Sequence, residues 1–382
     1  MVTLSSADNA LKSFYLDAIT DSLNMKVNPF LAKIGRTSDY VTGKEVRKTI
    51  RVGINGGIGA GTETGDLPTA RGNTYQQLTA TLKNLYGTIE ISDKAIRASA
   101  NNEGAFVNLI NDEMQSLVKS ASYNFGRMLF GDGTGVLGSI DDATANWVIV
   151  SNVQNFAVGM YVDVVEGSEK YQNCRVTDVD YKTSHICLDV DKLDDSIIGL
   201  SIVLHGSENN EITGLEALFC SGNIYGVNKG QSFMQPYVDN NFQEFTEDKL
   251  QAAIDTIEAK SGCNVDFIIC SWDVRRIIKD YYQQHNISVK TMKIDGGFTA
   301  IDFMGIPVVV DRFCPAGTMY LLSSECFKLY QLCDWQWLEA EDGKILKQVP
   351  GKPVYTATLV KYAELLCDNI AGQGKLTNIA QY

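Results

Sequence analysis

Lys44-Glu45-Val46-Arg47-Lys48-Thr49-Ile50-Arg51-Val52-Gly53-Ile54 opens the stretch on which the fold turns. Strict alternation makes it a strand, because side chains two apart share a face. Val46, Lys48, Ile50, Val52 and Ile54 fall on one side, and Arg47, Thr49 and Arg51 on the other. A glycine-rich stretch follows from Gly53 to Gly72, with Gly56-Gly57, Gly59, Gly61 and Gly65. Tyr75-Gln76-Gln77-Leu78-Thr79-Ala80-Thr81-Leu82 then has the pattern of a returning strand. Two strands with so much polar surface cannot bury a core of their own. The segment is expected to project and to pack on something else.

Upstream, Ser5 or Ser6 is placed to cap a helix to about Leu23, striped by Leu11, Phe14, Tyr15, Ala18 and Ile19 and ended by Asn28-Pro29. Downstream, Ser92 starts a short helical turn. A long helix follows from about Glu103 to Phe130, with a stripe that includes Phe106, Leu109, Leu117 and Phe125. At its rise per residue it extends about 42 Å. Gly131-Asp132-Gly133-Thr134-Gly135 stops it.

From Trp147 to about Leu204 short β-rich runs alternate with turns, for example Trp147–Val150, Tyr161–Val165, Arg175–Val179, His185–Leu188 and Ser201–Leu204. This spacing predicts a small barrel or sandwich. Beyond Gly214 the pattern is mixed. Thr246 and Ser271 are placed to cap helices to about Ser261 and Tyr282. Phe267–Cys270, Ile306–Val310, Met319–Leu322 and Cys326–Leu332 read as strands.

The chain has 382 residues, 45% hydrophobic and 21% charged, which suits two or three folded domains. No apolar run is long enough to span a bilayer. The start, Met1-Val2-Thr3-Leu4-Ser5-Ser6, has no basic, apolar leader pattern, so assembly in a cytoplasm is expected. Nine cysteines without a C-x-x-C pair, and three scattered histidines (His185, His205, His285), argue against a structural metal. A net charge of −13 argues against a dedicated DNA binder, whose affinity comes from neutralising phosphates. It is compatible with a wall that does not hold a nucleic-acid cargo tightly.

Catalytic motifs are missing. The glycine stretch is no P-loop, because no lysine occurs between Arg51 and Lys83. Gly131–Gly135 lies at a helix C-terminus, where carbonyl dipoles repel anions. Neither H-E-x-x-H nor G-x-S-x-G occurs. Asp141-Asp142 and Asp194-Asp195 read as solvated turns. No catalytic, cofactor or metal residue is assigned, and a non-enzymatic protein is expected. Lys44, Arg47, Lys48 and Arg51 form the one local basic excess, either a solvated strand face or an ionic contact with a neighbouring subunit.

In this order, an N-terminal arm, a long hairpin, a long helix ending in Gly-Asp-Gly-Thr-Gly and a mixed domain, the chain resembles the major capsid proteins of tailed bacteriophages, which have the HK-97-like fold. Local phrases carry the resemblance: Tyr86-Gly87-Thr88-Ile89-Glu90-Ile91-Ser92-Asp93-Lys94, Asn124-Phe125-Gly126-Arg127-Met128-Leu129-Phe130-Gly131-Asp132-Gly133, and Ile212-Thr213-Gly214-Leu215 followed by Ile224-Tyr225-Gly226-Val227-Asn228-Lys229. It implies an α+β chain with an N-arm (1–40), an extended E-loop (41–90), a peripheral P domain with its spine helix (91–145), an inserted β-rich domain (146–210), an axial A domain (211–333) and C-terminal strands (334–382) that return to the P domain and close the A domain.

The resemblance further implies a virion shell of hexamers and pentamers enclosing double-stranded DNA without sequence-specific binding. The partners implied are a portal protein, a separate scaffolding protein because the arm begins near Met1, and in some relatives decoration proteins; no membrane is involved. Inter-subunit contact would fall on Arg47, Lys48, Arg51, Ile54, Ile58, Leu67, Arg71 and Tyr75 of the E-loop. The tip has no lysine, so the covalent lysine–asparagine cross-link of some relatives is not expected. Alternatives are an encapsulin-type nanocompartment shell or, in another class, a soluble α/β ligand-binding protein or enzyme.

Overall fold

A computed structural model describes residues 28–95, 103–165, 169–190, 193–293, 297–339 and 343–380, with backbone alone for 103–112, 114–115, 169–170 and 195. The expected helix to Leu23 lies outside the described residues. Asn28, expected at the end of that helix, begins another: its side chain accepts from Leu31 N and caps Pro29–Lys33, with proline at the first turn where no amide is needed. Phe30 and Leu31 of this turn are buried, and Phe30 meets Phe327 edge-on at 5.2 Å.

Strand Val354–Cys367 organises one sheet. It pairs antiparallel with Phe327–Trp337 and with Lys83–Ser92, and Gly35–Thr37 lies parallel to Phe327–Trp337. Lys83–Ser92, grouped with the E-loop in the sequence, is thus a sheet strand. Its alternate residues Leu85, Ile89 and Ile91 are buried. The long helix, Glu103–Met128, packs on this strand. Gly87 permits the approach: a Cβ there would stand 2.9 Å from Leu117 Cδ1. Phe125 meets Trp335 edge-on at 6.3 Å. The helix stops at Met128, and the glycine sequence after it forms a turn in which Asp132 Oδ1 accepts from Thr134 N at 2.9 Å and from its hydroxyl.

Six antiparallel strands close the β-rich unit into a barrel, in the order His185–Leu188, Trp147–Val150, Val136–Thr144, Ser201–Leu204, Tyr161–Val165 and Glu169–Asp180, which returns to the first. The boundary expected at 146 therefore falls inside the barrel. Its first strand, Val136–Thr144, was hidden by Gly138 and Asp141-Asp142, which have the composition of a turn; a register shift between Ile140 and Asp142 accommodates them. Leu137, Ile140, Val148, Phe156, Val164 and Ile186 fill a core separate from the rest of the molecule. The barrel's two ends meet: Asn209 N donates to Thr134 O at 2.7 Å.

The remaining domain is a seven-stranded mixed sheet, ordered Tyr237–Asp239, Gly374–Leu376, Met319–Leu322, Phe267–Cys270, Ile306–Val310, Thr299–Phe303 and Thr291–Lys293. Central strands are covered on both faces, as continuous apolar runs require. Phe267, Ile269, Tyr320 and Leu322 enter the main core, while Ile268, Cys270, Met319 and Leu321 face a second one. Helices Glu247–Ser261 and Trp272–Gln284 build that second core with Leu250, Ile254, Ile257, Val274 and Ile278. Thr246 caps the first helix by accepting from Lys249 N, and Gly262 ends it at φ +68°. Ser271 occupies the cap position of the second, but its side chain makes no capping bond.

Candidate assembly interface

Glu45–Val52 and Thr74–Thr81 pair antiparallel in unbroken register, Val46 opposite Ala80 and Val52 opposite Thr74. The hairpin's root is fixed to its own subunit. Val46, Leu78 and Ala80 are buried in the main core, and Thr79 N donates to Tyr225 O at 2.9 Å. Tyr225 in turn donates its hydroxyl to Leu365 O at 3.1 Å. Lys48 is ion-paired with Asp368. Burial alone would lower the Lys48 pKa, yet the Asp368 carboxylate more than offsets this and it is raised.

Beyond the root the chain leaves the globule. Every residue from Ile58 to Tyr75 is exposed. Ile54, Ile58 and Leu67 are 94%, 89% and 90% accessible. Burying such a side chain is worth about 1.5–3 kcal/mol. Three such side chains on one projecting tip are a candidate contact. Arg51 and Arg71 make no ion pair among the described residues. The tip also carries Glu63 and Asp66, so a complementary surface must be apolar with charges of both signs.

The structure sorts the residues expected at the interface. Ile54, Ile58, Leu67, Arg71 and Tyr75 share the exposed tip, and Arg51 adjoins it opposite Tyr75. Arg47 is exposed but held by Glu45 at 2.9 Å. Lys48, between exposed Arg47 and Thr49, is turned by its face of the strand onto Asp368 of the same chain. Of the spine-helix residues, Phe125 is buried core and Leu117 is half-buried against Gly87. The side chains of Phe106 and Leu109 lie outside the described residues.

Three polar pairs in the interior of the subunit have no local signal in the sequence. Arg127 and Glu211 form a buried bidentate pair between the spine helix and the chain leaving the barrel. Lys361, fully buried, donates to Gln331 Oε1 at 2.9 Å and Asp334 Oδ1 at 2.5 Å. Burial lowers the Lys361 pKa and its carboxylate partner opposes this. In the barrel, Asp163 accepts from Asn173 N at 2.7 Å and from His205 Nδ1 at 2.8 Å. Burial would raise its pKa, but these bonds hold it below the ordinary carboxylate value. The charged partners lie 27 to 84 positions apart in sequence, so no local motif announces them.

Among the described residues no group of three His, Cys, Asp or Glu is arranged to hold a metal, and no helix is long and apolar enough to cross a membrane. The cavity between the spine helix and the barrel, about 330 Å³, is lined by Leu85, Leu117, Phe125 and Met128 with His205 and Glu211. Both of those polar groups are already engaged, His205 by Asp163 and Glu211 by Arg127.

A projecting hairpin, a spine helix laid on a sheet and a second mixed domain define a subunit of the HK-97-like shell fold. The model of the SU10 major capsid protein family matches residues 7–344, and the chain belongs to that family. A chain of the cyanophage A-1(L) capsid asymmetric unit superposes with a TM-score of 0.56 at 13% identity, covering 92% of each chain. Two further likenesses are a native GTA particle capsid (TM-score 0.47, 12% identity, 95% of this chain and 90% of that) and the SrpI encapsulin of Synechococcus elongatus (0.46, 10%, 92% and 88%). No curated protein matches the sequence. The protein is a capsid shell component of a bacteriophage virion.

Proposed function

We propose that this chain closes, as hexamers and pentamers, into an icosahedral shell around the double-stranded DNA genome of a tailed phage, acting as a structural protein without a catalytic site. The observation that carries the reading is the hairpin whose root is locked into its own subunit while Ile54, Ile58 and Leu67 stand in solvent. An apolar tip on a fixed lever costs nothing to the subunit's fold and stabilises only an assembly. Many such contacts, each weak, sum to a stable cage because the first closes the distance for the next. Arg51, Arg71 and Tyr75 give each contact its polar rim. The N-arm, a portal at one vertex, a separate scaffolding protein and optional decoration proteins complete the proposed assembly, which takes place in the host cytoplasm. The barrel stands as an inserted module beside the shell-building domains.

Deletion of residues 55–72 tests the reading. Coexpressed with the genes that flank it, the intact chain is expected to give closed particles holding nuclease-protected DNA. The deletion is expected to give folded subunits without closed shells. Unimpaired closure by the deleted chain would overturn the role given to the tip.

A further inference from the structure

Cys263 and Cys326 lie 63 positions apart in sequence, yet their Sγ atoms are 3.7 Å apart. Both residues are half-buried, so a small reagent can reach them from solvent. We propose that they are an oxidation site, a dithiol that becomes an intrachain disulfide when the particle leaves a reducing cytoplasm. A disulfide needs sulfurs at about 2.04 Å, so side-chain rotation must bring the two closer from van der Waals contact.

The surroundings assign each thiol its part. Cys263 follows Gly262, the cap of helix Glu247–Ser261, and its sulfur accepts from Asn369 Nδ2 at 3.1 Å. Cys326 ends the turn Ser324–Cys326 just before strand Phe327–Trp337. Burial pushes its thiol up to about 12, so it is the slower attacker. Cys367 is close by but fully enclosed, with its thiol donating to Asn369 O at 3.4 Å.

The oxidant is a low-molecular-weight disulfide of the glutathione class. The Cys263 thiolate attacks one of its sulfurs; the small S–S bond breaks and its second half departs as a thiolate with the electron pair. Cys326 then loses its proton to water and attacks Cys263 Sγ, expelling the other half. Two protein thiols are oxidised and one small disulfide is reduced to two thiols. The new bond ties the end of helix Glu247–Ser261 to the start of strand Phe327–Trp337 in the other sheet, closing a loop that holds Phe267–Cys270, Ile306–Val310 and Met319–Leu322. Such a closure chiefly restrains the unfolded chain.

The test uses the full chain with C220S, which removes the exposed thiol. Oxidised glutathione is added, free thiols are blocked with N-ethylmaleimide, and peptides are mapped by mass spectrometry. The expected result is one linked peptide pair joining Cys263 to Cys326, a raised thermal midpoint, and reversal of both by dithiothreitol. C326S should instead trap a glutathione adduct on Cys263, and C263S should yield neither. The proposal is overturned if both thiols of the unaltered pair remain open to maleimide, if the adduct on Cys263 persists with Cys326 present, or if Cys326 links to Cys367. None of these outcomes depends on shell closure.

Discussion

Arg127, in the last turn of the spine helix, grips Glu211 at the barrel's exit through two parallel bonds, one of them 2.9 Å, with both side chains 3% exposed. The pair fastens the chain leaving the barrel to the spine helix. Removing one partner leaves a bare charge in the interior, at a cost of about 3–5 kcal/mol. R127A is therefore expected to lower the unfolding free energy of the unassembled subunit, read from its urea transition, by that amount, while R127M with E211L recovers most of the loss. An R127A midpoint equal to that of the parent would show that the pair carries no weight.

The barrel's ends suggest that it can be removed. Thr134 and Asn209 are hydrogen-bonded, and Gly135, at φ +85°, sits so close to Ser207 O that a Cβ would stand 2.7 Å away. Replacing residues 137–206 by two glycines should leave the remaining sheets folded, because the barrel has its own core. Limited proteolysis and circular dichroism check this. Tyr123, which donates to Gln154 O at 2.7 Å, and Arg312, which donates to the Tyr181 hydroxyl at 3.4 Å, would lose barrel partners, so a modest fall in stability is expected. An insoluble or proteolysed product would contradict the modular arrangement.

Two buried carboxyls make stability depend on pH. Burial pushes Asp311 up to about 7 against the Phe313 amide, and Glu364 up to about 7 against hydrogen bonds from Thr213 and Leu365. Both folded values exceed the unfolded ones, so the folded chain holds protons that the unfolded chain releases. Their contribution is greatest below the unfolded values, near pH 4, and is lost as pH rises through about 7. Each carboxyl can cost up to about 1.4 kcal/mol per pH unit across that window. The subunit should resist urea better at pH 5.5 than at pH 8, and D311N with E364Q should reduce the difference. An undiminished difference in the double variant would assign the dependence to other groups.

The tip should be separable from the fold. Ile54, Ile58 and Leu67 touch nothing that unfolding would expose, so I54D, I58D and L67D together should change subunit stability by less than about 0.5 kcal/mol. The same triple change should abolish closed particles in sedimentation, because each lost contact recurs at every subunit. Normal particles from the triple variant would mean that the tip's apolar residues do not bind a neighbour.

The parts of the molecule visible in the sequence were those with local patterns. Alternation at Val46, Lys48, Ile50 and Val52 marked the hairpin, and Thr246 and Gly262 marked both ends of one helix. Gly131–Gly135 was legible as a turn because Asp132 and the glycines act within five residues. Lys83–Ser92 was missed as a sheet strand because its partner, Val354–Cys367, comes some 270 residues later. The ion pair of Lys48 was not legible for the same reason: a strand's pattern shows which face a lysine takes, not that Asp368 waits there. The Cys263–Cys326 contact and the Arg127–Glu211 pair arise from chain closure and have no signature in either neighbourhood.

Electron cryomicroscopy of assembled particles tests the central claim most directly. In each copy, Ile54, Ile58 and Leu67 are expected to lie buried against an adjacent subunit while Val46 and Leu78 stay in the core of their own. A closed shell in which those three side chains remain in solvent, or fold back onto the chain that carries them, would contradict it.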